Sequence, residues 1–157
     1  MTSEAEPHFA RPRVAAGVLF LDQSDWVLLV VPSYKDYLDL PGGYVEPVES
    51  PRKAAEREVR EELAIRSPVG RLLVADWWHE GADGDGGEKL LLVFDGGRLT
   101  PSELDHITVD GDEVIDYRLH PVGDLGAVTI PRLANRVEHA VRARNDGTTR
   151  YLEDGHM

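Results

Sequence analysis

Three glutamates, Glu58, Glu61 and Glu62, stand at i, i+3 and i+4 in the run EREVREEL. On a helix that spacing puts all three carboxylates on one face. Ala55, Val59 and Leu63 recur at i, i+4 and i+8 on the adjoining face, so the helix would carry an apolar side and an acidic side next to it. Such a cluster is unfavourable by itself. Like charges at these spacings repel by roughly 0.2–0.5 kcal/mol per pair, and Glu61 and Glu62 fall near the negative end of the helix dipole. A divalent cation reverses both penalties. Mg2+ is the natural choice, because it takes hard oxygen ligands and keeps waters that phosphate oxygens can replace; Mn2+ is the second candidate. Taken alone, the run also suits a solvated helix face, with Arg57 pairing Glu61 and Glu56 pairing Arg60.

The elements that would position this face are marked by their ends. Ser50-Pro51 is a helix start, with serine at the N-cap and proline in the first turn. The helix should run to about Leu63, and Pro68 bars its continuation. Pro41-Gly42-Gly43 is a strong break before it. Val14–Leu21 and Trp26–Val31 are apolar runs separated by Asp22-Gln23-Ser24-Asp25, which predicts a hairpin. Leu72–Trp78, Lys89–Asp95 and Val114–His120 read as three further strands, and His79–Gly87 (HEGADGDGG) as a flexible connection. Pro131 opens a second helix, with Leu133, Val137, Ala140 and Val141 at helical spacing. Strands covered by two helices predict an α/β layered domain.

Composition narrows the chemistry. The 157 residues fit one domain, with residues 1–11 a disordered segment, 12–145 the folded domain and 146–157 a polar tail. There is no cysteine, which excludes a disulfide framework, a thiolate zinc site and a cysteine nucleophile. The six histidines show no zinc spacing. The net charge of −12 argues against a large nucleic-acid partner, which would call for a basic face. The longest apolar runs fall well short of the roughly 20 residues that span a bilayer. The first residues lack the basic and apolar regions of a signal peptide, so a cytoplasmic location is expected.

The context of the acidic run is specific. Gly43 is followed six residues later by Glu49, and eight residues further by Arg57-Glu58. The segment Gly43–Ile65 resembles the Nudix box: Gly43, Glu49, Arg57, Glu58, Val59, Glu61, Glu62 and Ile65 match at fixed spacing. Ala64 stands where the box has its last glycine, and Val48 where many members have glycine before the glutamate. The preceding Leu40-Pro41-Gly42 also fits. The resemblance implies a Nudix-type α/β/α sandwich with a mixed β-sheet. It implies a metal-dependent hydrolase that cleaves a phosphoanhydride bond in a nucleoside diphosphate derivative by water attack on phosphorus.

The resemblance also implies roles. Glu58 and Glu62 become the principal metal ligands, Glu61 a further ligand or a base, and the Gly43 carbonyl a candidate ligand. Glu49 would pair with Arg57 and fix the loop onto the helix; Gly42 and Gly43 would lie against the substrate. Glu113, outside the box, is a candidate general base. Trp77 and Trp78 end a strand, so they point to opposite faces and only one can line a given pocket; Trp78 is the candidate for stacking on a base. A small-molecule nucleotide is the expected partner, with a homodimer as a candidate assembly.

Three other readings compete. A non-catalytic nucleotide-binding or regulatory module on the same fold would be favoured by lost box carboxylates, and none is lost here. The related isoprenoid diphosphate isomerases use a cysteine that this chain lacks. A plain structural protein would not need the Gly43, Glu49 and Arg57 spacing.

Overall fold

The structure is a computed structural model that describes residues 8–79 and 87–157. The apolar runs form strands β1 (Arg13–Leu21), β2 (Val27–Pro32), β4 (Leu72–Trp78), β5 (Lys89–Arg98) and β6 (Val114–His120), and the Pro51 and Pro131 starts open helices α1 (Pro51–Leu63) and α3 (Pro131–Asp146). Successive strand residues point to opposite faces, and β1 uses both. Ala16, Val18 and Phe20 pack with Ala54, Ala55, Val59 and Leu63 of α1. Leu19 and Leu21 pack with Leu133, Val137 and Ala140 of α3. Covered on both sides, the central strand reads as one apolar run rather than an alternation.

Among the described residues the strands make one sheet in the order β6-β2-β1-β5-β4-β7, with the short β3 (Gly42–Tyr44) paired to β1 beside that path. β1 with β5 and β4 with β7 (Arg150–Glu153) run parallel, and the remaining pairs antiparallel. The mixed sheet between α1 and α3 is the expected α/β/α sandwich. The β1–β2 hairpin closes as its sequence predicts: Asp22 Oδ1 accepts from the backbone N–H groups of Ser24 and Trp26 at 2.8 and 2.9 Å.

Two segments depart from expectation. Pro41-Gly42-Gly43 is not only a break, because Gly42, Gly43 and Tyr44 pair in register with Gly17, Ala16 and Ala15 of β1. Residues 146–157, expected as a polar tail, contain β7. Leu152 there is fully buried, and the Gly155 N–H donates to the buried Asp76 Oδ1 at 3.0 Å. One buried leucine among polar neighbours gave the pattern too little contrast to register. A short helix α2 (Pro101–Asp105) and a 3-10 helix over Val122–Ala127 also join the elements. Of the expected flexible connection His79–Gly87, residues 80–86 lie outside the described residues, as do residues 1–7 of the N-terminal segment.

α1 ends as the missing glycine implies. Ala64 adopts φ 60°, the left-handed cap conformation, and its N–H returns to the Arg60 carbonyl at 3.0 Å. A side chain there costs roughly 1–2 kcal/mol. Ala64→Gly should therefore raise stability by about 1 kcal/mol; a urea midpoint that stays put or falls would refute this account of the cap. Leu152→Ala should cost about 2–5 kcal/mol as a core cavity. A surface-like loss below about 0.5 kcal/mol would mean the last strand is not part of the cooperative fold.

Candidate active site on helix α1

The loop from Tyr44 to Ser50 is fastened to α1 by one arginine. Arg57 Nε donates to Glu49 Oε2 at 2.8 Å, and Nη2 to Glu49 Oε1 at 3.0 Å. Nη2 also reaches the Tyr44 carbonyl at 3.2 Å. A planar guanidinium meeting both carboxylate oxygens is the strong, geometrically selective form of this contact, which lysine cannot reproduce. The hydrogen bond from Arg57 holds the Glu49 carboxyl below its ordinary range, and Glu49 in turn raises Arg57. Arg57 Nη1 then turns to the acidic face, donating to Glu58 Oε1 at 2.9 Å and reaching Glu61 Oε2 at 3.4 Å. The expected Glu49–Arg57 pair is thus present, and one side chain links loop and carboxylates. Val48, at the tip of the loop, takes φ 62° with its side chain fully in solvent.

Glu58 and Glu62 are buried at 9% and 4% exposure, whereas the Glu61 side chain is 55% exposed. The burial is imposed by β3. A Cβ on Gly43 would lie 2.6 Å from the Glu58 carboxylate carbon, so only glycine lets this strand run over the acid. Gly42 has φ 149°, and a Cβ there would meet the Ala16 carbonyl oxygen at 2.2 Å. Its N–H donates to Glu62 Oε1 at 3.3 Å, while Glu62 Oε2 is buried with no hydrogen-bond partner. Burial first, and the Glu58 charge beside it second, push the Glu62 carboxyl up to about 9.

These residues fit a hard cation in their chemistry: two buried carboxylates, one oxygen of them unpaired, in a position where a charge without a partner is costly. Among the described residues no three acidic or histidine side chains converge in the geometry of a metal centre. Glu61 stands apart in solvent, and Arg57 occupies Glu58. Glu113, next to β6, holds Ser33 through its backbone carbonyl at 2.9 Å. Burial, then the charges of Glu58, Asp110 and Asp112 and last that of Glu61, raise its carboxyl, so it feels both the acidic face and its own loop.

Beside the acidic face opens a pocket of about 510 Å³ whose lining includes Gly42, Gly43, Tyr44, Trp78, Lys35 and Arg136. Trp78 is on its wall and 8% exposed, and the half-buried Trp77 points to the other face of β4, as strand alternation requires. Sequence reasoning missed Arg136 and its partner Asp76. Arg136 Nε donates to Asp76 Oδ2 at 2.7 Å, with both residues buried. A signal existed: Arg136 falls on the apolar stripe of α3 between Leu133 and Ala140, and Asp76 interrupts the apolar strand LLVADWW. A charge in each of two buried patterns asks for a partner. Lys35 and Asp39, another ion pair at 2.6 Å on this pocket, carried no comparable signal in their polar loop.

The NUDIX domain family model matches residues 11–143. Over 53 residues the chain is 53% identical to diphosphoinositol polyphosphate phosphohydrolase 2 of Rattus norvegicus, covering 33% of this chain and 30% of that protein. The match spans under half the length of the curated relatives. The fold resembles that of a MutT protein from Methanosarcina mazei Go1 (TM-score 0.68, 23% identity, 92% of this chain and 99% of that one). It also resembles that of an ADP-ribose pyrophosphatase from Streptococcus suis 89-1591 (TM-score 0.68, 18% identity, 91% and 99%). With a family model that matches residues 11–143, and with Glu58, Glu61 and Glu62 on the helix and Glu49 on the loop before it as the motif requires, the chain belongs to the NUDIX family.

Proposed function

We propose that this protein is a pyrophosphohydrolase that uses a divalent cation, with Mg2+ preferred and Mn2+ as substitute, to split a phosphoanhydride in a nucleoside diphosphate derivative. The observation that carries the reading is the buried Glu58–Glu62 pair with its unpaired Glu62 oxygen, beneath the Gly42–Gly43 backbone that also lines the pocket. Glu58 and Glu62 would hold the ion, joined by Glu61 or the Gly43 carbonyl. The ion supplies charge neutralisation on the pyrophosphate and a lower pKa for the attacking water. Water adds to phosphorus, the bridging P–O bond breaks, and a phosphate ester leaves. The proton of the water passes to a carboxylate, for which Glu61 and Glu113 are the candidates. Glu49 keeps Arg57 in place, and Arg57 positions Glu58.

Family relatives carry names that point to two substrate classes, a diphosphoinositol polyphosphate and ADP-ribose. The pocket favours the nucleoside. Tyr34, Tyr37 and Trp78 offer rings, and Leu91, Val93 and Leu133 an apolar floor. A polyphosphorylated ring would call for unneutralised cations, yet Lys35 is tied to Asp39 at 2.6 Å and Arg136 to Asp76 at 2.7 Å. The chain as a whole carries −12.

Turnover of nucleoside diphosphate derivatives, followed by phosphate release after a phosphatase step, should require added magnesium or manganese. Glu62→Gln keeps the side chain's size and removes its charge, so kcat should fall by about 10³ or more while the protein stays folded. Near-normal turnover in this variant would remove Glu62 from the chemistry. A wild type that binds nucleotide but never hydrolyses it would favour the non-catalytic reading.

The titration of Glu62 gives an independent check. Its native pKa lies above its unfolded value, so the native state holds the extra proton. The stabilisation is complete below about 4.5 and is lost as pH rises toward about 9. In chelator, thermal stability should fall across this window, by at most about 1.4 kcal/mol per pH unit for one proton. Saturating magnesium should offset the loss, because a ligand bound only to the native state adds to stability. Glu62→Gln should flatten the pH dependence and melt higher than wild type at pH 8 in chelator. Parallel curves for the two proteins would show that Glu62 is not the titrating group.

A further inference from the structure

The wall of the pocket carries two side chains whose buried hydrogen-bond donors have no partner among the described residues. Trp78 and Arg136 are 8% and 7% exposed, and both line the pocket. Trp78 Nε1 and Arg136 Nη2 are buried without a partner. The Arg136 guanidinium lies 5.3 Å from the centre of the Trp78 ring, so the two side chains are neighbours. Arg136 is pinned through Nε to Asp76, and Arg132 covers the Trp78 ring at 4.3 Å. An unmet buried donor is costly, and two side chains carrying one stand at the same pocket, which Gly42 and Gly43 of the box also line.

On the reading that the substrate is a nucleoside derivative, we propose that Trp78 Nε1 and Arg136 Nη2 read its base, selecting an edge with oxygen acceptors over one with an amino group. Guanine presents O6 and N7 as acceptors, and uracil presents a carbonyl oxygen at its corresponding position. Adenine and cytosine place an exocyclic NH2 there, which would set donor against donor. Both side chains line the pocket, so a small turn of each brings its unmet donor to an acceptor carried on a flat ring against this wall, and each donor gains the hydrogen bond it lacks. A site built from such donors rejects a ligand that cannot accept from them far more strongly than an apolar pocket rejects a change in size.

Calorimetric titration of the full chain with GMP, AMP, UMP and CMP tests this without needing turnover, so it stands or falls apart from the hydrolase reading. GMP should bind at least about tenfold tighter than AMP, and UMP tighter than CMP by a similar factor, a difference of about 1.4 kcal/mol. Trp78→Phe keeps an aromatic ring and removes the N–H; both ratios should shrink toward unity, mainly by weaker GMP and UMP binding. A merely structural role for Trp78 would weaken all four ligands alike and leave the ratios intact, which overturns the proposal. Arg136→Lys gives a second reading of the same ratios should the first variant fold poorly. Equal affinities in the wild type, a preference for AMP and CMP, or no binding of any of the four would also overturn it.

Discussion

The two carboxylates sealed beneath β3 constrain everything around them. Burying one carboxyl group is costly, and burying two side by side is more so. The chain meets this with local devices rather than a full complement of countercharges. Gly43 lets backbone lie on Glu58, the Gly42 N–H bonds one Glu62 oxygen, and Arg57 takes one Glu58 oxygen. The second Glu62 oxygen is left over. Repulsion that a proton or a cation must relieve is a poor way to stabilise a helix, and a good way to make an ion's binding strong where the ion is needed.

Arg57 shows how far the constraint spreads. It binds the loop through Glu49 and Tyr44 and the acidic face through Glu58, so loop conformation and carboxylate position are one arrangement. The strain at Val48 and Ala64 belongs to the same segment. Both take left-handed backbone angles that suit glycine. The loop and the helix end keep their geometry without glycine because burial of Ala54, Ala55, Val59 and Leu63 holds α1 against the sheet. A core of that size absorbs a cost of roughly 1–2 kcal/mol at each cap.

Much of this was legible because short-range chemistry writes itself into spacing. Five strands and both long helices follow from apolar period and from the prolines at residues 51 and 131. The Glu49–Arg57 pair and the shared face of Glu58 and Glu62 follow from the box, whereas the box leaves open how a helix ends on Ala64 in place of glycine, and the structure ends it left-handed. What the spacing could not show was depth. Glu61 matches the motif as well as Glu62 does, yet one is in solvent and the other beneath β3, because only the path of Gly42–Tyr44 decides which side of the helix is covered. β3 was hidden by the glycines that make it fit. Gly42 and Gly43 signal a break locally and permit a close strand pairing that depends on β1, far away in sequence.

The C-terminal strand was illegible for a related reason, and it changes how the pocket must be understood. β7 adds to the sheet beyond β4 and buries Leu152, and the turn that follows it contributes a backbone N–H. Gly155 donates to Asp76 Oδ1 while Arg136 donates to Asp76 Oδ2, so the carboxylate is held from both sides inside the α3 layer. Asp76 fully buried with Arg136 alone would keep one oxygen unmet; with Gly155 it is satisfied and can fix the guanidinium. Arg136 in turn lies against Trp78 at the pocket wall. The shape of the pocket near the box therefore rests on residues at the far end of the chain. A segment whose composition says tail thus fastens Asp76 and, through it, the Arg136 side chain at the pocket wall.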